Sequence, residues 1–236
     1  MSQPPAGGPA PAGSIESLYP FLYAGQTDVS AVLAQVRAST VAKAAEIIEL
    51  RRAVREADGA RLAACAREMA DRFRVGGRLL AFGNGGSATD AQQIVTTFLQ
   101  PGPDAAPLPA LGLASDTSVL TALANDIGVD VIFARQIAAF GGRADIAVGL
   151  STSGNSENLL RAFDEASRRG LLTIGIAGYE GGQMAELDSI DYLFVAPSSS
   201  VHRIQEAQTT MYHVLWELCQ AELGPRAEAG ARRGSP

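Results

Sequence analysis

The chain has few of the groups that bind by charge, by metal or through a membrane. Only two cysteines and two histidines occur in 236 residues. Cys65 and Cys219 both fall inside helical patterns among apolar neighbours, which reads as two small buried side chains rather than a disulfide or a redox pair. Lysine and arginine (19) are outnumbered by aspartate and glutamate (25), giving a net charge of −6. No face-sized basic cluster offsets that total, which argues against a nucleic-acid surface. No apolar run approaches the roughly 20 residues that cross a bilayer, and the start has neither the basic residues nor the apolar stretch of a signal peptide. These absences predict a cytoplasmic protein without nucleic-acid or membrane partners. Residues 1–14 carry no charge and, beyond Met1, no large apolar side chain, so disorder is expected there and again in the Gly/Pro/Ala-rich stretch 224–236.

The chain as a whole is 47% apolar, enough for one sizeable core. From Val29 to Ala57 the apolar residues recur at spacings of three and four without glycine or proline, which predicts one long helix or two. A further helix is expected from Gly59 to Arg74, stopped by Gly76-Gly77. Then short apolar runs at 78–82, 110–114, 146–150, 172–176 and 192–196 alternate with helical patterns at 87–99, 117–127, 131–139, 157–169, 182–187 and 201–223. Such alternation predicts an α/β three-layer sandwich on a five-stranded parallel sheet in flavodoxin-like order 2-1-3-4-5, with extra N-terminal helices.

Two turns follow the first and third runs: Gly83-Asn84-Gly85-Gly86-Ser87 and Ser151-Thr152-Ser153-Gly154-Asn155-Ser156. In that strand order they are neighbours at the carboxyl edge, where backbone N–H groups, hydroxyls and positive helix ends hold a phosphate without a lysine or arginine. Either turn alone is weak. Gly83-x-Gly85-x-x-Ala88 loosely fits a dinucleotide fingerprint, but the nearest acidic candidate, Asp116, lies 33 residues beyond Gly83, too far for a ribose contact. The absence of Gly-Lys-Ser/Thr excludes a Walker A loop.

These turns, with Leu123-Ala124-Asn125-Asp126, Gly178-Tyr179-Glu180-Gly181-Gly182-Gln183-Met184-Ala185 and Arg203-Ile204-Gln205-Glu206, resemble the sugar isomerase (SIS) family, and within it the phosphoheptose isomerases, over about residues 47–223. The resemblance implies a SIS domain at 59–223 behind a helical extension at 15–58. It implies a sugar-phosphate pocket lined by Asn84, Gly85, Gly86, Ser87, Asn125, Asp126, Ser151, Thr152, Ser153, Ser156 and Gln205. It also implies aldose–ketose isomerisation of sedoheptulose 7-phosphate or a similar sugar phosphate, in a homodimer or homotetramer.

The chain departs from that family where a metal would sit. The resemblance implies a His and a Glu four apart on the helix after the first turn, with a Gln and a His eight apart on the last helix. Here the second pair is Gln205 and His213, but the first is Gln93 and Thr97. One imidazole and three weak neutral oxygens make a poor zinc site, so neither zinc nor another cofactor is expected. The remaining histidine, His202, lies about 16 Å from His213 along the same helix, too far to share an ion. In the family the missing Glu serves as the base, with His213 its acid/base partner. Glu206, seven residues before His213, is a candidate replacement, its plain alternative being a surface ion pair. Asp90 and Asp126 are others, Asp90 reading more simply as a favourable charge near a helix start. A second reading is a non-catalytic SIS module that binds a phosphosugar and acts as a regulatory or assembly partner.

Overall fold

The computed structural model describes residues 29–103 and 105–224. The expected tails, 1–14 and 224–236, lie outside that range except for Gly224.

The chain divides into two compact units, residues 1–45 and 46–236. The described part of the first is helical, and its Val32, Leu33, Val36 and Val41 are exposed. The helix α1 runs from Val29 to Arg74 without a break. Two helices expected on either side of Asp58-Gly59 are thus one. A mid-helix glycine costs only about 1 kcal/mol, and Asp58, which could have turned the chain by bonding its own backbone, instead accepts from Arg61 at 2.5 Å. From Leu50 onward one stripe, including Leu62, Cys65, Ala66, Met69 and Phe73, is buried. Gly76, at φ +85°, ends the helix.

The second unit carries five parallel strands in the order β2-β1-β3-β4-β5: β1 Leu79–Gly83, β2 Ala110–Gly112, β3 Ile146–Ser151, β4 Leu172–Gly178 and β5 Tyr192–Ala196. The expected order is therefore the observed one. Five further helices follow: α2 Gly86–Leu99, α3 Thr117–Asp126, α4 Ile132–Phe140, α5 Glu157–Arg169 and α6 Val201–Leu223. The helix expected at 182–187 is a short 3-10 turn, Gly182–Glu186. β2 is shorter than its apolar run suggested because it is an edge strand paired only along Leu79–Ala81.

Alternate residues of the strands feed two cores, as a sheet covered on both faces requires. Leu79, Ala81, Val148 and Ile174 pack with buried residues of α1, α2 and α6. Leu80 and Phe82 pack with residues of α4 and α5, with Phe82 5.6 Å from Phe133 and 5.3 Å from Phe163 between ring centroids. Gly149 makes room for that cluster, since a Cβ there would overlap Phe163 and Phe82.

The two sheet edges differ in chemistry. At the amino edge buried Asp145 accepts from the Arg78 and Gly142 amides at 2.7 and 2.9 Å, and Asp191 accepts from the Thr173 amide and hydroxyl, both at 2.9 Å. Those carboxylates stitch loops to strands. The carboxyl edge carries the Gly/Ser turns instead.

Candidate functional site

Register alone brings the two turns together: β1 and β3 are adjacent, and Gly83, the last residue of β1, pairs with Leu150. Gly83 has to be small, because a Cβ there would sit 2.7 Å from the Ser87 carbonyl oxygen and 3.0 Å from that of Leu150. The chain then reverses through Gly85 at φ +54°, and α2 begins with no side-chain cap and no acidic residue in its first turn. Its positive end is left for an outside anion.

The β3 turn is held from below. The Gly154 amide donates to Ser151 Oγ at 3.0 Å and the Asn155 amide to Ser153 Oγ at 3.3 Å. Both hydroxyls act as acceptors in these bonds, which leaves each O–H free to donate to a ligand oxygen. Ser156 occupies the N-cap position of α5 without capping it through its side chain. Gly154 (φ +69°) lies against the Gly181 carbonyl, where any Cβ would overlap it. The following loop locks this contact, with the Met184 amide donating to the Gly154 carbonyl at 3.0 Å and the Gln183 amide to Asn155 Oδ1 at 2.9 Å.

Two contacts join the turns to each other and to α6. Asn84 and Asn158 exchange side-chain amide bonds at 2.9 and 3.0 Å. Gln205 lies against the start of α2, where a Cβ on Gly86 would overlap its amide nitrogen. Fully buried Gln208 donates from Nε2 to the Ser151 and Ile176 carbonyls, both at 3.2 Å, fixing α6 to the ends of β3 and β4. Asn158 and Gln208 were not singled out from the sequence. An amide in the first turn of the helix after a Ser/Thr loop is the available signal for Asn158; Gln208 carries none.

The other candidates are placed as follows. Asn125 and Asp126 end α3, and Asn125 Nδ2 donates to Asp126 Oδ1 at 2.9 Å. Asp116 caps α3, accepting from the Ser118 and Val119 amides at 2.9 and 3.1 Å, which gives it a structural task in place of a ribose contact. Glu206 is bonded to Arg203, whose guanidinium also faces Glu46 at 3.9 Å. His213 is half-buried, its ring 5.0 Å from that of Tyr212. Burial raises the Tyr212 phenol above its ordinary range, Thr209 pulls it back, and the charge of Asp90 raises it further. Asp90 is itself raised by burial, and its Oδ2 is covered without a partner.

The donor set at the family's metal position does not fit an ion. Thr97 Oγ donates to the Gln93 carbonyl at 2.9 Å, so its hydroxyl is turned into its own helix, and the Gln93 side chain is exposed. Among the described residues no group of three or more His, Cys, Asp or Glu could hold a metal. A partly open cavity of about 130 Å³ between α1 and α6 is lined mainly by apolar groups such as Val54, Leu62, Met211 and Val214, with Arg51, Arg55 and Thr210 also at its walls. It lies away from the two turns.

Paired anion-receptive turns at the carboxyl edge of a doubly wound sheet define a phosphate-binding type of α/β domain. The chain belongs to the SIS domain family, whose model matches residues 43–178. It is 42% identical to the phosphoheptose isomerase of Pelodictyon phaeoclathratiforme over 179 residues, covering 75% of this chain and 84% of that one. It is 44% identical to the phosphoheptose isomerase of Aquifex aeolicus over 153 residues, covering 64% and 79%. The solved phosphoheptose isomerase of Neisseria gonorrhoeae superposes with a TM-score of 0.70 at 33% identity, over 79% of this chain and 99% of that one. No helix among the described residues is long and apolar enough to cross a membrane.

Proposed function

We propose that the protein is a phosphosugar aldose–ketose isomerase acting on sedoheptulose 7-phosphate or a sugar phosphate of similar length. The observation that carries this reading is the juxtaposition of the β1 and β3 turns, with the Ser151 and Ser153 hydroxyls free to donate and Ser156 uncommitted at an open helix end. In this reading Ser151, Thr152, Ser153 and Ser156 take the phosphate. Asn84, Gly85, Gly86, Ser87 and Gln205 border the sugar, and Asn125 and Asp126 meet its hydroxyls. His213 exchanges protons with the substrate oxygens. The ion pair of Glu206 with Arg203 supports its plain role as a surface charge. The work is done without zinc, since the donor set at 93, 97, 205 and 213 lacks the nitrogens and carboxylate that zinc needs.

The exposed Val32, Leu33, Val36 and Val41 support assembly as a homodimer or homotetramer. The two buried free thiols suit the reducing cytoplasm.

A second reading, a phosphosugar-binding module without turnover, is favoured by one observation: Thr97 stands where relatives of this type need a base. Incubation with sedoheptulose 7-phosphate, with and without zinc, followed by detection of the aldose product, separates the two. Turnover is expected in both conditions. Saturable thermal stabilisation by the sugar phosphate with no product selects the binding module.

A further inference from the structure

We infer that Asp90 is the catalytic base, taking over at the α2–α6 seam the carboxylate role that Thr97 cannot fill. This inference rests on the isomerase reading above. Two buried carboxylates, Asp58 and Asp145, bear comparison with half-buried Asp90. Asp58 is bonded to Arg61 and Asp145 to Arg78 and two amides, so both have structural partners. Asp90 has a covered Oδ2 with no partner, and among the described residues it is the only such carboxylate oxygen. A helix end does not explain it. Asp90 is the fifth residue of α2, beyond the first turn in which free N–H groups and the helix field favour a negative charge. A buried acceptor left unpaired costs stability, and a catalytic role is one of the few reasons, beside a bound water or ion, for its presence.

Its place in the fold suits that task. One helical turn before it, Gly86 meets Gln205. Across the seam, the Asp90 charge acts on Tyr212, whose ring touches that of His213. The carboxyl thus lies between the glycine turn and the His213 segment of α6, part-exposed as a residue although Oδ2 is covered. Burial also raises its acid, which makes the carboxylate a stronger base than an exposed one. The competing carboxylates are bonded elsewhere, Glu206 to Arg203 and Asp126 to Asn125.

The step balances without an outside reagent. In the ketose-to-aldose direction Asp90 takes the C1 proton, the C1–H pair becomes the C1=C2 bond, and the C2 carbonyl pair moves to O2, which takes a proton from His213. From the enediol, His213 recovers the O1 proton as C1=O forms, and the C1=C2 pair takes the Asp90 proton at C2. Both side chains end as they began.

The test is Asp90→Asn in the full chain, with Asp90→Ser as a second variant should the amide not be accommodated. Three readouts are taken: turnover of sedoheptulose 7-phosphate, wash-in of solvent deuterium at C1 by NMR, and saturable thermal stabilisation by the same sugar phosphate. The variant is expected to bind within about threefold of the parent, while turnover and wash-in fall by about 10³-fold. Turnover within threefold of the parent overturns Asp90 and leaves the isomerase reading standing. A parent that binds the sugar phosphate but shows neither product nor wash-in overturns both.

Discussion

Asn84 and Asn158 exchange two amide hydrogen bonds, at 2.9 and 3.0 Å, across the tops of β1 and β3. Asn84 belongs to the glycine turn and Asn158 to the first turn of α5, beyond the serine turn. The pair therefore sets the spacing of two loops that share no backbone hydrogen bond past Gly83–Leu150. Neutral amides do this without adding charge at that edge of the sheet, and each keeps a second N–H for other partners.

Replacing Asn158 by alanine removes both bonds. Asn84 can turn to water, so stability should fall by only about 1 kcal/mol. Affinity for a sugar phosphate should fall further, about tenfold, because the loops lose their common spacing. Thermal melts and ligand titration of the same sample check this; equal affinity in the variant would detach the pair from binding.

Two glycines at the site should respond differently to alanine. At Gly154 the backbone is left-handed, worth about 1–2 kcal/mol against any Cβ, and the overlap is with a rigid carbonyl. Gly154→Ala should therefore unseat the serine turn and lower the melting temperature. At Gly86 the overlap is with the end of the flexible Gln205 side chain. Gly86→Ala should melt near the parent and lose sugar-phosphate affinity as Gln205 is displaced. Matching melts for the two variants would contradict this division.

How far the sequence could be read followed the range of each interaction. Strands, their order and the position of both turns were legible because period, turn residues and crossover handedness are local signals. The unbroken α1 was not, since a glycine at position 59 signals a stop that packing of Leu62, Cys65 and Met69 overrides. Nor was the Asn84–Asn158 pair, which joins residues 74 apart. That Gln93 and Thr97 stand where the resemblance implies a His and a Glu was plain from residue type. Orphaning of Asp90 was not, because the cover over its Oδ2 and the lack of a partner there arise only in the packed fold.

Asp90 should also announce itself through stability. Its folded acid is raised by burial above the unfolded value, so its contribution is intact below the ordinary carboxylate range and is lost as pH rises through the raised folded value. At neutral pH the ionised group strains the fold. Asp90→Asn is accordingly expected to melt higher than the parent at pH 7 and to match it near pH 3. A lower melting temperature at pH 7 would mean that the carboxylate has a stabilising partner after all.

At the other end of the pH scale, Tyr192 donates to Glu68 at 2.6 Å, and that bond, with burial and the Glu68 charge, pushes its phenol up to about 12. Its contribution is present below the unfolded value of about 10 and is lost as pH rises through about 12. Burial raises Cys65 and Cys219 as well, so all three work in the alkaline range. Tyr192→Phe should flatten the loss of stability between pH 9 and 12 without abolishing it. An unchanged slope would assign the whole effect to the thiols.

The zinc question can be settled by adding what the chain lacks. Gln205 and His213 lie on α6, one of the two helices that form the α2–α6 seam, while Gln93 is exposed and Thr97 bonds its own helix. Gln93→His with Thr97→Glu supplies a second imidazole and a carboxylate four residues apart on α2, completing a set of two nitrogens and two oxygens that suits tetrahedral zinc. The double variant should hold about one zinc per chain after dialysis, read by elemental analysis, and should gain thermal stability that a chelator removes. The parent should retain none. Zinc retained by the parent at the same level would show that Gln205 and His213 find their partners outside this set, and would return the metal to the chemistry of the site.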